Sequence, residues 1–300
     1  MTKQLNNLVW TALITPFDDD GAVQLDDFTR LLRMQEAAGN GILLFGSTGE
    51  GLALTTSEKV EMLEVVSNMN LQVPVMAGVG GFQAKAQKEW MDACHKARVD
   101  AFLLVAPLYA RPGVRGQIAW FRELLDHATC PCMFYNIPAR TGVKIAPEAL
   151  QGVSGHKNSW AVKEAGGNTD DYAEFVQKVP ELTFYAGDDF MLPFYSRIGT
   201  EGVVSVASNV WPEQTRLFAG ACFEQSVMPG YHRWTDAVKE LFSAPNPIPV
   251  KALMMQKGLI RSDRLRLPLM REDLKSLDKL ILADRVASAW RPDGKHPASI

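Results

Sequence analysis

A lysine stands at the end of a short apolar run, where its side chain could form an imine. The run is residues 160–163, WAVK, and the glycine-containing segment EAGG follows it. A lysine on a buried strand is partly desolvated, which disfavours its ammonium form and frees the amine to attack a carbonyl carbon. Because lysine side chains are mostly found in water, a solvent-exposed Lys163 is the competing interpretation.

A second apolar run, residues 132–135, ends on Tyr135 and leads into the loop NIPARTG. A phenol close to an amine can relay protons while an imine forms. Arg140, in this loop, carries a planar guanidinium that can bind a carboxylate through two parallel hydrogen bonds. A tyrosine that only fills apolar space and an arginine in a surface ion pair are equally compatible with the sequence.

Two further loops carry candidate binding groups. Residues 46–51, GSTGEG, place Ser47 and Thr48 where hydroxyls and backbone N–H groups can surround a small carboxylate. This loop lacks the lysine spacing of a Walker motif and the G-x-G-x-x-G pattern after the first strand, so it does not indicate a nucleotide site. Tyr109 lies between two prolines in APLYARP, either as an apolar loop tip or as a residue offered to a neighbouring subunit.

Metal binding is not indicated by the sequence. The five histidines are scattered without metal-ligand spacing, so we expect no metal and no cofactor. Asp188 and Asp189 follow Gly187 and could hold a cation, but a helix N-cap by either carboxylate is the simpler interpretation.

Short apolar runs alternate with amphipathic segments along most of the chain, which predicts a parallel sheet with helical crossovers. Eight strands are predicted, at residues 9–15, 42–45, 73–77, 101–105, 132–135, 160–163, 182–185 and 202–204. About eight strand and helix units favour a closed (β/α)8 TIM barrel, in which reactive groups gather at the carboxyl ends of the strands. We predict the barrel over residues 1–225 and a C-terminal helical extension over residues 226–300, including one helix at residues 271–290.

Composition limits the partners and the compartment. The 300 residues contain 31 basic and 34 acidic side chains, and a net charge of −3 does not favour nucleic acid. No apolar stretch reaches the roughly 20 residues that cross a bilayer. Without a visible export signal, and with four cysteines that form no paired spacing, we expect a cytoplasmic protein.

Three motifs in chain order, GSTGE, YNIPARTG and VKEAGG, together resemble the pyruvate-dependent class I aldolase family, which includes N-acetylneuraminate lyase. The likeness runs from about Leu8 to the segments NPIPVKALMMQKGLI and LRLPL. It implies that Lys163 forms a Schiff base with pyruvate and that Tyr135 carries the proton relay. It also implies that Ser47 and Thr48 bind the pyruvate carboxylate.

The same resemblance carries expectations about the assembly and the pocket wall. The backbone at Val204 would line the pyruvate pocket. Tyr109 would reach across a tight dimer into the partner's site, within a homotetramer that is a dimer of dimers.

Arg140 and the NPIPVK segment favour the branch of the family that condenses pyruvate with L-aspartate 4-semialdehyde in lysine and diaminopimelate biosynthesis. The alternative is N-acetylneuraminate lyase or a 2-keto-3-deoxy sugar acid aldolase, because GSTGE with Ser47 is also common in the lyases. A catalytically silent barrel that binds a keto acid as a sensor is the third possibility.

Feedback inhibition by L-lysine is not expected. Inhibited members of the family carry histidines, an asparagine, a glutamate and an aromatic residue at positions that here are Thr56, Lys59, Phe82, Ala86 and Leu108. These side chains do not reproduce a polar cage for a zwitterion, and Lys59 would repel its ammonium group.

Overall fold

Eight parallel strands close into a barrel in which each strand pairs with the next and the last pairs with the first. The computed structural model describes residues 3–224 and 230–293. The strands are β1 (Val9–Ala12), β2 (Gly41–Leu44), β3 (Val75–Val79), β4 (Ala101–Val105), β5 (Cys132–Asn136), β6 (Ser159–Glu164), β7 (Thr183–Ala186) and β8 (Thr200–Ser205). The predicted (β/α)8 barrel is confirmed, and every predicted strand overlaps an observed one.

Helices cover the outside of the barrel and form the C-terminal part of the chain. They are α1 (Leu25–Ala37), α2 (Thr56–Met69), α3 (Ala84–Lys96), α4 (Val114–His127), α5 (Pro138–Thr141), α6 (Pro147–Ser154), α7 (Thr169–Lys178), α8 (Leu192–Tyr195), α9 (Pro212–Glu224), α10 (Tyr231–Glu240), α11 (Ile248–Gln256) and α12 (Asp278–Ala289). Within the two described ranges, none of the helices combines the length and apolar composition needed to cross a bilayer.

The strands separate two apolar layers. Alternate residues of each strand point to opposite faces, so one set fills the barrel interior and the other packs beneath the helices. On β5, Met133 and Tyr135 belong to the interior cluster, whereas Phe134 belongs to the outer one. On β6 the same alternation places Ala161 inside and Val162 outside, so the next inward position on this strand is Lys163.

A capping box starts the helix that follows the GSTGEG loop. The Thr55 hydroxyl accepts a hydrogen bond from the Glu58 backbone N–H, and the Glu58 carboxylate accepts one from the Thr55 backbone N–H. The two bonds satisfy donors that a helix start otherwise leaves free. They fix where α2 begins and therefore how the loop before it is anchored.

The C-terminal extension packs its aromatic side chains against α9 of the barrel. The Phe218 ring of α9 stacks on Trp234 of α10 with 4.9 Å between ring centres, and it meets the Trp290 ring edge-on at 5.2 Å. The Trp211 indole N–H donates to the Asp284 carboxylate of α12 at 2.7 Å. These contacts attach the extension to the barrel.

One predicted helix differs from the structure. Residues 271–290 form a 3-10 turn at Arg271–Asp273 and, separately, helix α12 from Asp278. Leu274 is buried while its backbone is extended, so packing of this side chain interrupts the helix that local periodicity predicts. The predicted domain division at residues 225 and 226 lies outside the described residues and stays a prediction.

Candidate active site

Lys163 and Tyr135 are direct partners in the register between β5 and β6. Both side chains point into the barrel at its carboxyl end, and Lys163 is only 5% exposed. Its Nζ lies 4.2 Å from the centre of the Tyr135 ring, and no ion pair of Nζ is found in the described part of the chain. The competing interpretation of a solvent-exposed lysine is therefore wrong.

Five of the seven predicted site residues line one cavity of about 470 Å³. They are Ser47, Thr48, Tyr135, Arg140 and Lys163. They come from the loop after β2, from β5 and the short helix after it, and from β6, because the carboxyl ends of parallel strands meet at one face of a barrel. An amine, a phenol, two hydroxyls and a guanidinium thus share one space.

A pair of residues facing away from the barrel axis holds the two central strand ends in place. The Asn136 amide donates to one Glu164 carboxylate oxygen at 2.7 Å, and the Gly166 backbone N–H donates to the other at 2.6 Å. Glu164 is fully buried, and burial raises its pKa to about 7. Since Asn136 and Glu164 follow Tyr135 and Lys163, their bond fixes the register that sets the amine beside the phenol.

The C-terminal extension supplies a wall of the cavity through Asn246. Its side-chain amide donates to the Thr48 hydroxyl oxygen at 2.9 Å, and its backbone carbonyl accepts from the Arg140 guanidinium at 3.2 Å. The Thr48 oxygen acts as an acceptor here, so its own proton stays free to be donated to a ligand. In the sequence, Asn246 belongs to the NPIPVK segment, and no local pattern marks it as a binding residue.

A buried ion pair ties the same extension to the GSTGEG loop. Lys251 Nζ lies 2.7 Å from Glu50 Oε1, and both side chains are almost fully buried. Nζ also donates to the Arg264 carbonyl, while the Arg266 backbone N–H donates to the second Glu50 oxygen. Burial lowers the pKa of Lys251, and the Glu50 charge opposes that shift. The pair holds the loop of Ser47 and Thr48 from outside the barrel.

The segment after β7 differs from its predicted role. Neither Asp188 nor Asp189 makes a side-chain cap to the 3-10 helix that starts there, so the N-cap interpretation is wrong. Asp189 is buried and accepts hydrogen bonds from the Ser205 hydroxyl and from the backbone N–H groups of Val206 and Ala207. It thereby fixes the carboxyl end of β8.

Asp188 lines the cavity instead. Burial raises the pKa of its carboxyl to about 6, against the opposing charges of Lys163 and Arg140. The sequence pattern that could have marked Asp188 as a site residue is its position just after the end of a predicted strand. Lys163 and Tyr135 were predicted from their positions at strand ends.

Two predicted site residues do not line this cavity. Val204 is fully buried in the barrel interior, and Val206 lines the cavity two residues later. Tyr109 is 94% exposed and has a positive φ of 67°. It lines a second cavity of about 1230 Å³, whose wall also includes Ser47, Tyr135 and Arg140. The position of Tyr109 is thus open to another molecule.

The second cavity is lined by four of the five positions at which lysine-inhibited members of the family carry their effector-binding side chains. Thr56, Lys59, Ala86 and Leu108 line it, whereas Phe82 does not and is 70% exposed. The Lys59 ammonium lies 5.3 Å from the centre of the Trp90 ring, and burial lowers its pKa. This part of the wall presents an indole ring and an ammonium group.

A closed barrel whose sixth strand carries a buried lysine into a polar cavity, beside a tyrosine and an arginine, has the architecture of a lyase that forms a Schiff base. No group of three or more potential metal ligands is found among residues 3–224 and 230–293. The model of the dihydrodipicolinate synthetase family matches residues 6–283. The chain belongs to this family.

Individual relatives match almost the whole chain. The 4-hydroxy-tetrahydrodipicolinate synthase of Francisella philomiragia is 45% identical over 291 residues, which are 97% of this chain and 99% of that protein. The lysine-bound dihydrodipicolinate synthase of Cyanidioschyzon merolae superposes with a TM-score of 0.86 at 30% identity, covering 95% of this chain and 99% of that one. The structure of a monomeric variant of dihydrodipicolinate synthase has a TM-score of 0.84 at 26% identity, covering 94% and 96%. The family predicted from the three motifs is confirmed.

The Glu50 and Lys251 pair leads to a prediction about stability. Glu50→Gln leaves a buried ammonium without its counter-charge and should lower the free energy of unfolding by about 3–5 kcal/mol. The double variant Glu50→Gln/Lys251→Met removes that unpaired charge and should recover most of the loss. Urea unfolding followed by circular dichroism measures both.

The exposed pair of Lys85 and Glu89 provides the matched control. Glu89→Gln should change the free energy of unfolding by less than about 0.5 kcal/mol, since exposed pairs contribute little. A double variant no more stable than Glu50→Gln would contradict the assigned ion pair.

Proposed function

We propose that this chain condenses pyruvate with L-aspartate 4-semialdehyde to form 4-hydroxy-tetrahydrodipicolinate. The observation that carries the proposal is the buried Lys163, placed beside Tyr135 and in one cavity with Arg140. Similarity to proteins named 4-hydroxy-tetrahydrodipicolinate synthase along nearly the whole chain supports it and favours it over a sialic-acid lyase or a silent keto-acid sensor.

The first half of the reaction makes an enzyme-bound enamine. The neutral Lys163 amine attacks the ketone carbon of pyruvate, and the resulting carbinolamine loses water to become an iminium ion. Tyr135 relays protons to and from this centre. Ser47 and Thr48 hold the pyruvate carboxylate by their hydroxyls and the backbone of their loop. Loss of a methyl proton from the iminium then gives the enamine.

The second half joins the two substrates. The enamine carbon attacks the aldehyde carbon of the semialdehyde, whose carboxylate is held by Arg140. The amino group of the second substrate then attacks the imine carbon, the ring closes, and the bond to Lys163 breaks. One molecule of water leaves in total, and the lysine amine is regenerated.

The assembly belongs to the same proposal. Tyr109 completes the site of a partner subunit across a tight dimer, and two such dimers form a homotetramer. Its full exposure and its place on a cavity wall shared with Ser47 and Tyr135 support this role. The backbone near Val204 lines the pyruvate pocket, and Val206, two residues later, lies on the cavity wall. The enzyme acts in the cytoplasm.

Trapping the imine tests the role of Lys163. Borohydride added with pyruvate should place a carboxyethyl group on the peptide that contains Lys163, as seen by mass spectrometry. Lys163→Arg should abolish trapping, and Tyr135→Phe should lower kcat by about 10²–10⁴-fold because it removes the proton relay. Lys157→Arg, an exposed lysine nearby in the sequence, is the control and should trap normally. A wild-type enzyme that gives no adduct overturns the proposal.

Mixing two inactive variants tests whether Tyr109 acts across the dimer. Chains with Lys163→Arg and chains with Tyr109→Phe are refolded together in equal amounts. Half of the dimers are then mixed, and one of their two sites has both intact groups, so activity should reach about a quarter of the wild-type value. Tyr231→Phe, at another exposed tyrosine, should be fully active alone. Activity no higher than the sum of the separate variants would show that Tyr109 does not act on the partner's site.

Insensitivity to L-lysine follows from the second cavity. Millimolar L-lysine should leave the initial rate unchanged, because Lys59, on the wall of this cavity, would repel the effector's ammonium group. Initial rates and isothermal titration calorimetry measure this. Saturable inhibition at sub-millimolar L-lysine would refute it.

A further inference from the structure

A buried asparagine closes the base of the loop that carries Arg140. The Arg140 loop, residues 137–145, begins where β5 ends and leads into α6. Asn136, the last residue of β5, is 1% exposed, and its side-chain oxygen Oδ1 accepts the Ile145 backbone N–H at 2.9 Å. One hydrogen bond from a strand end therefore holds both ends of the loop together.

Gln117 of α4 holds the returning end of the Arg140 loop from another side. Its amide nitrogen donates to the carbonyls of Pro112 and Lys144 at 3.0 and 3.2 Å, and its carbonyl oxygen accepts the Ala146 backbone N–H at 2.9 Å. The Gln117 side chain is buried as well. Together with the bond described above, buried amides bind the backbone of three consecutive residues, so the base of the loop is rigidly held.

Asn136 also ties the base of the Arg140 loop to the strand that carries Lys163. Its amide nitrogen donates to the Glu164 carboxylate, whose second oxygen accepts the Gly166 backbone N–H. A Cβ atom on Gly166 would lie 2.5 Å from that second oxygen, closer than non-bonded atoms can approach. The glycine is therefore required for the close packing that fixes the carboxylate between its two donors.

These bonds connect the two groups that hold the two substrates in the proposed reaction. There, Lys163 carries the enamine and Arg140 binds the carboxylate of the aldehyde. The two carbons that join must approach to about 3–3.5 Å, and a misplacement of about 1 Å can cost about 100-fold in rate. Asn136 and Glu164 do not line the catalytic cavity. Any effect they have on the reaction therefore passes through other residues.

We propose that Asn136 and Glu164 are positioning residues for the condensation step, because they hold the Arg140 loop at a fixed distance from Lys163. The carboxylate of the second substrate is then bound where its aldehyde carbon meets the enamine carbon. This rests on the function proposed above. Neither residue touches a substrate, and both act through the position of the Arg140 guanidinium.

Reversing the pair provides the test, because reversal exchanges donor and acceptor without losing a hydrogen bond. Glu164→Gln alone sets two amide donors against each other in either orientation of the new amide, and Asn136→Asp alone sets two carboxylates against each other. The double variant Asn136→Asp/Glu164→Gln restores one donor and one acceptor. Its new carboxylate accepts from Ile145 and from the new amide, whose oxygen accepts from Gly166. The number of buried charges is kept.

Each single variant should lower kcat/KM for aspartate semialdehyde by about 10–100-fold. The assay is run at pH 8, where the carboxylate form of Glu164 predominates because its pKa is about 7. The double variant should return to within about threefold of the wild type. Asn168→Asp, which adds an exposed carboxylate just before α7, is the matched control and should stay within about twofold. A double variant no better than the single variants overturns the proposal.

A second background shows whether the pair acts through Arg140. Arg140→Ala removes the guanidinium and with it the interaction that the pair positions. In this background Glu164→Gln should lower kcat/KM for aspartate semialdehyde by less than about twofold, because the two changes affect one interaction. A general loss of folded enzyme would lower kcat/KM by the same factor in both backgrounds, and that outcome overturns the proposal.

Borohydride trapping of pyruvate separates this inference from the proposed function. Glu164→Gln and the double variant should both form the adduct on Lys163, since the amine and the loop of Ser47 and Thr48 are unchanged. If Glu164→Gln forms no adduct, Gly166→Ala takes its place in the comparison of backgrounds, because its Cβ displaces the same carboxylate. A wild type that neither traps pyruvate nor condenses the substrates overturns the proposed function. A wild type that does both, with single variants of unchanged kcat/KM, overturns the positioning role alone.

Discussion

The pairing of β5 with β6 is the constraint on which the site depends. In this register Tyr135 lies opposite Lys163, and both point into the barrel. Because side chains alternate along a strand, a slip of one residue would put Glu164 in the cavity and Lys163 under the helices. The buried hydrogen bond between Asn136 and Glu164 on the opposite face makes such a slip costly. The amine and the phenol are therefore positioned by residues that never face the substrate.

Burying a lysine requires compensation for the lost hydration. Lys163 has no carboxylate at ion-pair distance in the described residues, and its Nζ lies over the face of the Tyr135 ring, 4.2 Å from the ring centre. Asp188 and Asp189 provide negative charge from the end of the neighbouring β7, and burial raises the pKa of both. This arrangement suits an amine that must alternate between neutral and cationic forms, since a direct ion pair would hold it in the ammonium form.

The C-terminal extension contributes to the site as well as to stability. Asn246 contacts Thr48 inside the cavity, and Lys251 holds Glu50 at the other end of the same loop. The loop that would bind the carboxylate is thus held on two sides by a segment about 200 residues later in the chain. Pre-organisation of this kind lowers the entropy lost when a small substrate is bound. Aromatic packing of Trp234 and Trp290 on Phe218 keeps the extension in place.

The sequence by itself determined the features that depend on neighbouring residues. Strand ends and the order of three loop motifs each leave a local pattern, and together they were sufficient to predict the barrel, the family and the cluster of Ser47, Tyr135 and Lys163. Only the tertiary structure decided that Asp188 faces the cavity rather than capping a helix, and that Asn246 reaches Thr48. Contacts between residues far apart in the chain leave no periodic signal, and the direction of a side chain in a loop is set by packing.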